Sequence, residues 1–104
     1  MIAIIDYDIG NVSAIENMLS RIGVISEITN DFHKINKAEK IILPGNGSYD
    51  ACILGLRKTG LIPLLEEMVL GRETPILGIC VGAQMLGNAS EEGQESGLGW
   101  AYHV

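Results

Sequence analysis

The chain has 104 residues, enough for one small domain with a single core, and 47% of them are hydrophobic against 19% charged. Its net charge of −6 and the lack of a Lys/Arg cluster argue against nucleic acid as a partner. No apolar run reaches the roughly 18 residues that span a bilayer, and the acidic N-terminal segment is unlike a signal peptide. These features predict a cytoplasmic, globular protein with one domain, residues 1–104.

The first half of the chain predicts strands and a helix in alternation. Residues 1–6 predict a buried strand, and apolar residues at helical spacing from Val12 to Ile22 predict a helix that Gly23 ends. Residues 24–28 predict a second strand, and the polar stretch 29–40 predicts an irregular segment. Residues 40–43 then predict a third strand, which Pro44 and Gly45 cut off.

The second half continues the same alternation. Ser48 predicts the cap of a helix that runs to about Lys58, and Pro63 predicts the first turn of another helix, closed by Gly71. Residues 74–79 predict a fourth strand, residues 81–86 a short helix, and residues 101–104 the start of a further strand. Apolar strands that alternate with helices are typical of a parallel sheet covered on both faces, so the predicted fold class is α/β.

The segment GICVG, residues 78–82, lies between a predicted strand and a predicted helix. This is the pattern of a nucleophile elbow, in which glycines on both sides allow a strained turn to expose the nucleophile. The helix N-terminus would favour the thiolate of Cys80, and the backbone N–H of Val81 would be free to stabilise an oxyanion. The alternative is a buried structural cysteine that happens to have glycine neighbours.

A second glycine-rich segment, LPGNGS at residues 43–48, also follows a predicted strand. Two glycines separated by one residue can expose backbone N–H groups and so supply a second oxyanion donor. The alternative is a tight turn that opens a helix. Because the carboxyl ends of parallel strands share one edge of a sheet, this loop and the elbow can meet.

The remaining cysteine and the histidines predict no further chemistry. Cys52 falls inside a predicted helix among apolar residues and is expected to be buried. The sequence contains no C-x-x-C or His/Cys cluster, so neither a metal site nor a cofactor is predicted. His33 lies in the polar stretch and is expected to be solvated.

Residues 78–86 resemble the nucleophile motif of class I (triad-type) glutamine amidotransferases, and residues 43–47 resemble their oxyanion-strand motif. The opening residues 4–11 and the segments 90–93 and 97–100 are similar to those of glutaminase subunits of imidazole glycerol phosphate synthase. The resemblance runs from residue 1 to residue 100. It implies a flavodoxin-like doubly wound parallel sheet, of which this chain would be an incomplete, N-terminal part.

The resemblance also implies an activity. Members of the family hydrolyse glutamine through a cysteine thioester and pass the ammonia to a cyclase subunit, here for imidazole glycerol phosphate synthesis in histidine formation. By position, Cys80 would be the nucleophile, and the N–H groups of Asn46 and Val81 would form the oxyanion hole. The substrate-binding residues would be Gly45, Gly47, Gln84 and Glu92.

The sequence departs from the family pattern at two points. The family usually has a small apolar residue in place of Asn46, and its catalytic His and Glu lie in a late P-x-H-x-E motif that these 104 residues do not contain. His103 follows Trp100, where the family has sheet. The chain alone is therefore expected to be inactive and to self-associate through an incomplete sheet edge.

Three other functions stay open at this point. A non-catalytic remnant or binding module would explain the missing motif. An amidotransferase subunit for another acceptor, such as a surface sugar, would carry the same motifs. An unrelated elbow-cysteine hydrolase is a third alternative, although Gln84 and the loop at residues 44–47 argue against it.

Overall fold

The structure, a computed structural model, describes residues 1–9, 12–87 and 96–100. Within these ranges its centre is a four-stranded sheet in the order β2-β1-β3-β4, and the pairings between these strands are parallel. The strands are β1 (Ile2–Ile5), β2 (Ser26–Thr29), β3 (Lys40–Gly45) and β4 (Ile76–Cys80). This order is the beginning of the flavodoxin-like order, so the predicted α/β fold class is confirmed.

In the described part of the chain, five α-helices connect or follow the strands, and their ends have clear local causes. The helices are α1 (Val12–Arg21), α2 (Phe32–Asn36), α3 (Tyr49–Lys58), α4 (Ile62–Glu66) and α5 (Val81–Met85). The Ser48 hydroxyl accepts a hydrogen bond from the Ala51 N–H at 3.3 Å, which caps α3 as predicted. Gly60 follows α3 with a φ of +73°, and Pro63 lies in the first turn of α4. A π-helical turn, Glu67–Gly71, continues α4.

Two predictions about the middle of the chain are wrong. Residues 29–40 contain the helix α2, because the Asp31 carboxylate accepts from the Lys34 N–H at 3.0 Å and Ile35 is buried against the core. His33 accordingly lies on α2 rather than in a loop, and it is exposed. β3 also continues through Pro44 to Gly45, because its pairing with β1 ends at Ile42 and the proline then interrupts no ladder on that side.

The hydrophobic core lies on one face of the sheet. Alternate strand residues, including Ala3, Ile5, Ile41 and Leu43, pack there with the apolar faces of α3, α4 and the π-helical turn. Trp100, in the described segment 96–100, is 2% exposed and belongs to the same core. Within the described ranges, no helix combines the length and the apolar character that crossing a bilayer requires. The strand predicted at residues 101–104 lies outside the described residues.

Candidate active site

The two segments singled out by the sequence meet at the carboxyl edge of the sheet. Gly45 ends β3 and pairs in register with Cys80, the last residue of β4. The strand order reverses between β1 and β3, which makes the same edge the topological switch point where ligands of such sheets bind. The fold therefore brings the elbow and the glycine-rich loop together, as expected.

Cys80 occupies a strained turn between β4 and α5. Its φ of 56° and ψ of −122° are unusual for a residue with a side chain and cost about 1–3 kcal/mol. The neighbouring glycines are required by space. A Cβ at Gly78 would lie 2.6 Å from Ala83, and a Cβ at Gly82 would overlap the carbonyl of Leu43. Close packing of α5 against β3 and β4 thus holds the strained residue in place.

The two cysteines lie in opposite environments. Cys80 is exposed, whereas Cys52, on α3, is fully buried. Cys80 opens into a cavity of about 270 Å³ at the carboxyl edge of the sheet. The cavity is lined by Ile9, Ile15, Pro44, Gly45, Asn46, Ile79 and Cys80. The exposed thiol can therefore meet a small molecule, while the buried thiol cannot.

The loop after β3 faces this cavity with Gly45 and Asn46. Asn46 is exposed, and Gly47 has a φ of +80°, a conformation that favours glycine. The Asn46 carbonyl accepts a hydrogen bond from the Cys52 thiol at 3.4 Å. Asn46 therefore lines the exposed cavity and also makes a hydrogen bond, through its carbonyl, to the buried first turn of α3.

Tyr7 lies below the loop, on the core side of the sheet. It is 4% exposed, and its hydroxyl donates to the Pro44 carbonyl and also lies 3.4 Å from the Met85 Sδ. Burial raises the pKa of Tyr7, and the neighbouring Cys52 raises it further. The phenol therefore stays protonated and able to donate throughout the physiological pH range.

Of the other predicted site residues, the structure describes some and not others. Val81 is the first residue of α5, so its N–H has no partner within that helix, and Gln84 is exposed one turn later. Glu92, together with the segment 90–93, lies outside the described residues, as does His103. The catalytic and substrate-binding roles of all these residues stay predictions.

Three further residues at the site, Tyr7, Ile9 and Ile15, are not predicted as site residues from the sequence. Tyr7 and Ile9 follow β1 at the carboxyl edge of the sheet, and Ile15 reaches the cavity from α1. The rule that strands deliver functional residues at their carboxyl ends could have identified the first two, because β1 was predicted correctly. Ile15 is one of the apolar residues at helical spacing in α1, and no local signal distinguishes packing within the fold from lining the cavity.

Comparison with known proteins assigns the family. The family model described as glutamine amidotransferase class-I matches residues 3–96, nearly the whole chain. The chain belongs to this family. The predicted resemblance is thereby confirmed, and the elbow and loop described above lie within the matched residues.

Several curated members of the family are similar to this chain. It is 52% identical over 100 residues to imidazole glycerol phosphate synthase subunit HisH 2 of Methanococcus maripaludis, covering 96% of this chain and 50% of the relative. It is 48% identical to the subunit HisH 2 of Pseudomonas aeruginosa, with the same coverage. The subunit HisH of Leptospira interrogans is 40% identical and is covered to 49%. The chain thus spans about half the length of the curated relatives it matches.

Proposed function

We propose that the protein carrying this sequence is a glutaminase subunit that supplies ammonia for imidazole glycerol phosphate synthesis. The observation that carries the proposal is the exposed Cys80 at a strained strand–helix turn, beside the glycine-rich loop, in a chain of the class I amidotransferase family. The similarity to relatives named as subunits of imidazole glycerol phosphate synthase supports imidazole glycerol phosphate synthesis as the use of the ammonia.

In the proposed reaction, the Cys80 thiolate attacks the side-chain carbonyl carbon of glutamine. A tetrahedral oxyanion forms, and the N–H groups of Asn46 and Val81 are proposed to stabilise it. The carbon–nitrogen bond then breaks, and the nitrogen leaves as ammonia after taking up a proton. Water hydrolyses the remaining thioester, which releases glutamate and restores the thiol.

The remaining substrate contacts are also part of the proposal. Gly45 and Gly47 would let the loop approach the substrate, Gln84 would face bound glutamine from the second turn of α5, and Glu92 would pair with its ammonium group. A cyclase subunit would receive the ammonia, since the relatives are named as subunits of a synthase. The reaction as proposed needs no cofactor, and cytoplasmic placement would match such a soluble biosynthetic role.

The general acid–base group is proposed to come from outside these 104 residues. The described residues that line the cavity around Cys80 include no histidine, and the sequence contains no P-x-H-x-E motif. Each acid–base partner contributes about 10²–10⁴-fold, so a polypeptide of these residues alone is expected to lack steady glutamine turnover. The same observation favours the second candidate, a binding module that holds glutamine without hydrolysing it.

The test uses the full-length protein with its cyclase partner, beside a polypeptide of residues 1–104. Ammonia release from glutamine is measured for each, together with Cys80→Ala and Cys52→Ala. We expect turnover in the full-length protein, loss of at least about 10³-fold in Cys80→Ala, and near-background rates for the short polypeptide. Turnover that survives Cys80→Ala would refute the nucleophile, and glutamine binding with no turnover in any form would favour the binding module.

The short polypeptide is also proposed to self-associate. Among the described residues, β4 lies at one edge of the sheet, and Leu77 on that strand is 58% exposed. An apolar edge strand with unpaired backbone groups promotes pairing with another chain. We expect sedimentation at low micromolar concentration to show dimers or larger species, and a monodisperse monomer would contradict this.

A further inference from the structure

A buried pair of polar side chains lies beneath the loop at residues 44–47 and takes no part in the proposed chemistry. Tyr7 follows β1, and Cys52 lies in the first turn of α3. The two side chains are 4% and 0% exposed and lie close enough for Cys52 to raise the pKa of Tyr7. Gly55 of α3 also lies beside Tyr7, since a Cβ there would meet the Tyr7 carbonyl oxygen at 3.4 Å, an ordinary van der Waals contact.

The pair holds two carbonyl groups of the loop. The Tyr7 hydroxyl donates to the carbonyl of Pro44, and the Cys52 thiol donates to the carbonyl of Asn46 at 3.4 Å. These carbonyls flank one peptide group, that between Gly45 and Asn46, whose N–H is the proposed oxyanion donor. Because a peptide group is planar, the Gly45–Asn46 group can turn only through the φ and ψ angles of Gly45 and Asn46. Fixing the peptide groups on both sides restricts these angles and so restricts the direction of the N–H.

The opposite side of the loop is closed by α5. A Cβ at Gly45 would overlap the N–H of Gly82 and approach the carbonyl carbon of Val81 to 2.8 Å. Gly45 thus rests against the turn that carries Cys80, while Tyr7 and Cys52 hold the loop from the core side. The loop is thus contacted from both sides, by α5 at Gly45 and by Tyr7 and Cys52 at the two anchored carbonyls, which orient the peptide groups between them.

We propose that Tyr7 and Cys52 are positioning residues that fix the Gly45–Asn46 peptide group relative to Cys80. The inference rests on the proposed glutaminase function for its kinetic consequence, and on the hydrogen bonds alone for its structural consequence. A thiol is a weak donor, whereas a hydroxyl at the same place is a stronger one. Replacing Cys52 by serine should therefore retain the anchor, and replacing it by alanine should remove it.

The kinetic test separates loop geometry from thiol reactivity. Tyr7→Phe, Cys52→Ala and Cys52→Ser are compared with wild type in the full-length protein with its cyclase partner. Complete removal of an oxyanion donor costs about 10²–10³-fold in kcat, so a displaced donor should cost about tenfold. We expect this loss in Tyr7→Phe and Cys52→Ala, with KM within about twofold, and rescue in Cys52→Ser.

Alkylation of Cys80 by iodoacetamide is the second measurement. This reaction attacks a saturated carbon and forms no oxyanion, so its rate at Cys80, followed by peptide mapping, should stay within about twofold of wild type in every variant. Ile53→Val is the matched control, since Ile53 is the buried neighbour of Cys52 on α3 and has no hydrogen bond to the loop. It should lower stability slightly and leave kcat unchanged.

Amide hydrogen exchange of residues 45–48 tests the anchor without any activity. We expect exchange to accelerate at least about threefold in Cys52→Ala and Tyr7→Phe, and to remain near wild type in Cys52→Ser and Ile53→Val. Unchanged exchange, or a fall in alkylation equal to the fall in kcat, would overturn the positioning role. A wild-type protein that hydrolyses no glutamine would refute the proposed function instead, and the exchange data would still decide whether Tyr7 and Cys52 hold the loop.

Discussion

The two faces of the parallel sheet differ in how much of their apolar surface the described helices cover. On the core face, Ile5, Leu43 and their neighbours are fully buried beneath α3 and α4, whose own apolar residues are also buried. On the opposite face, Ile4 and Ile42 are buried, but Leu77 is 58% exposed. Parallel sheets are normally covered on both faces, so the second face is incompletely covered by the described residues.

The helix α1 explains much of this difference. It is amphipathic, yet none of its residues is buried, and Met18 is 55% exposed. Ile15 reaches the cavity at the carboxyl edge, which places α1 on the same face as Pro44 and Ile79. The candidate site therefore lies between a tightly packed layer that fixes its loops and a loosely packed layer that bounds its cavity. Stability and positioning should depend mainly on the first layer.

The largest expected difference is between two leucines on opposite faces. Leu65, on α4, is 0% exposed, and Leu77, on β4, is 58% exposed. Leu65→Ala should lower the free energy of unfolding by about 2–5 kcal/mol, because it leaves a cavity in the core. Leu77→Ala should cost less than about 1 kcal/mol. Urea denaturation at low protein concentration measures both, and equal losses would show that the two faces are packed alike.

Glycine at the elbow gives the next largest effect. In Gly82→Ala, the added Cβ would overlap the Leu43 carbonyl, so the backbone of α5 or β3 must move, at an expected cost of about 1–3 kcal/mol. Gly71→Ala is the matched control, because its Cβ would meet the Glu67 side chain at an ordinary 3.7 Å. Its unfolding free energy should stay unchanged or rise by up to about 1 kcal/mol. A tolerated Gly82→Ala would mean that α5 is not held tightly against β3.

The cap of α3 should show a smaller effect on the tightly packed side. Ser48→Ala removes the acceptor of the Ala51 N–H and should cost about 1 kcal/mol. Ser20, an exposed serine on α1, provides the comparison, and Ser20→Ala should leave stability unchanged or slightly higher. Thermal or urea unfolding of the two variants decides the point. Similar losses at both positions would contradict the expectation that the Ser48 cap of α3 contributes more to the free energy of unfolding than Ser20 of α1 does.

The sequence predicted the elements of the tightly packed side better than it predicted their contacts. Apolar runs identify the strands, and Ser48 and Pro63 identify the starts of α3 and α4, because these signals act within a few residues. The helix α2 was missed because its stability depends on one cap, Asp31, and on burial of Ile35, which is a tertiary effect.

The candidate site was predictable to a similar extent. The elbow around Cys80 is a local pattern, since the glycines needed for the turn are adjacent to it in sequence. The hydrogen bond of Tyr7 joins it to Pro44, 37 positions away in sequence. The role of Cys52 depends on where the first turn of α3 meets the loop. Composition and spacing say nothing of such contacts, and a buried cysteine on a helix predicts packing rather than a hydrogen bond to a loop.

The smallest expected effect is a pH dependence that arises on the tightly packed side. Burial raises the pKa of Tyr7 and of Tyr49 above the ordinary value of 10.0, so the folded state holds these protons more tightly than the unfolded state. Their contribution to stability is complete below pH 10 and is lost as the pH rises above it, because the unfolded chain then binds fewer protons. For Tyr7 the loss should be below about 1 kcal/mol near pH 10.5. Tyr7→Phe removes one titrating group, so its unfolding free energy, although lower at neutral pH, should fall less steeply between about pH 9 and pH 10.5. Tyr49 leaves part of the slope in place, and a slope identical to wild type would show that the Tyr7 phenol is not buried as the structure describes.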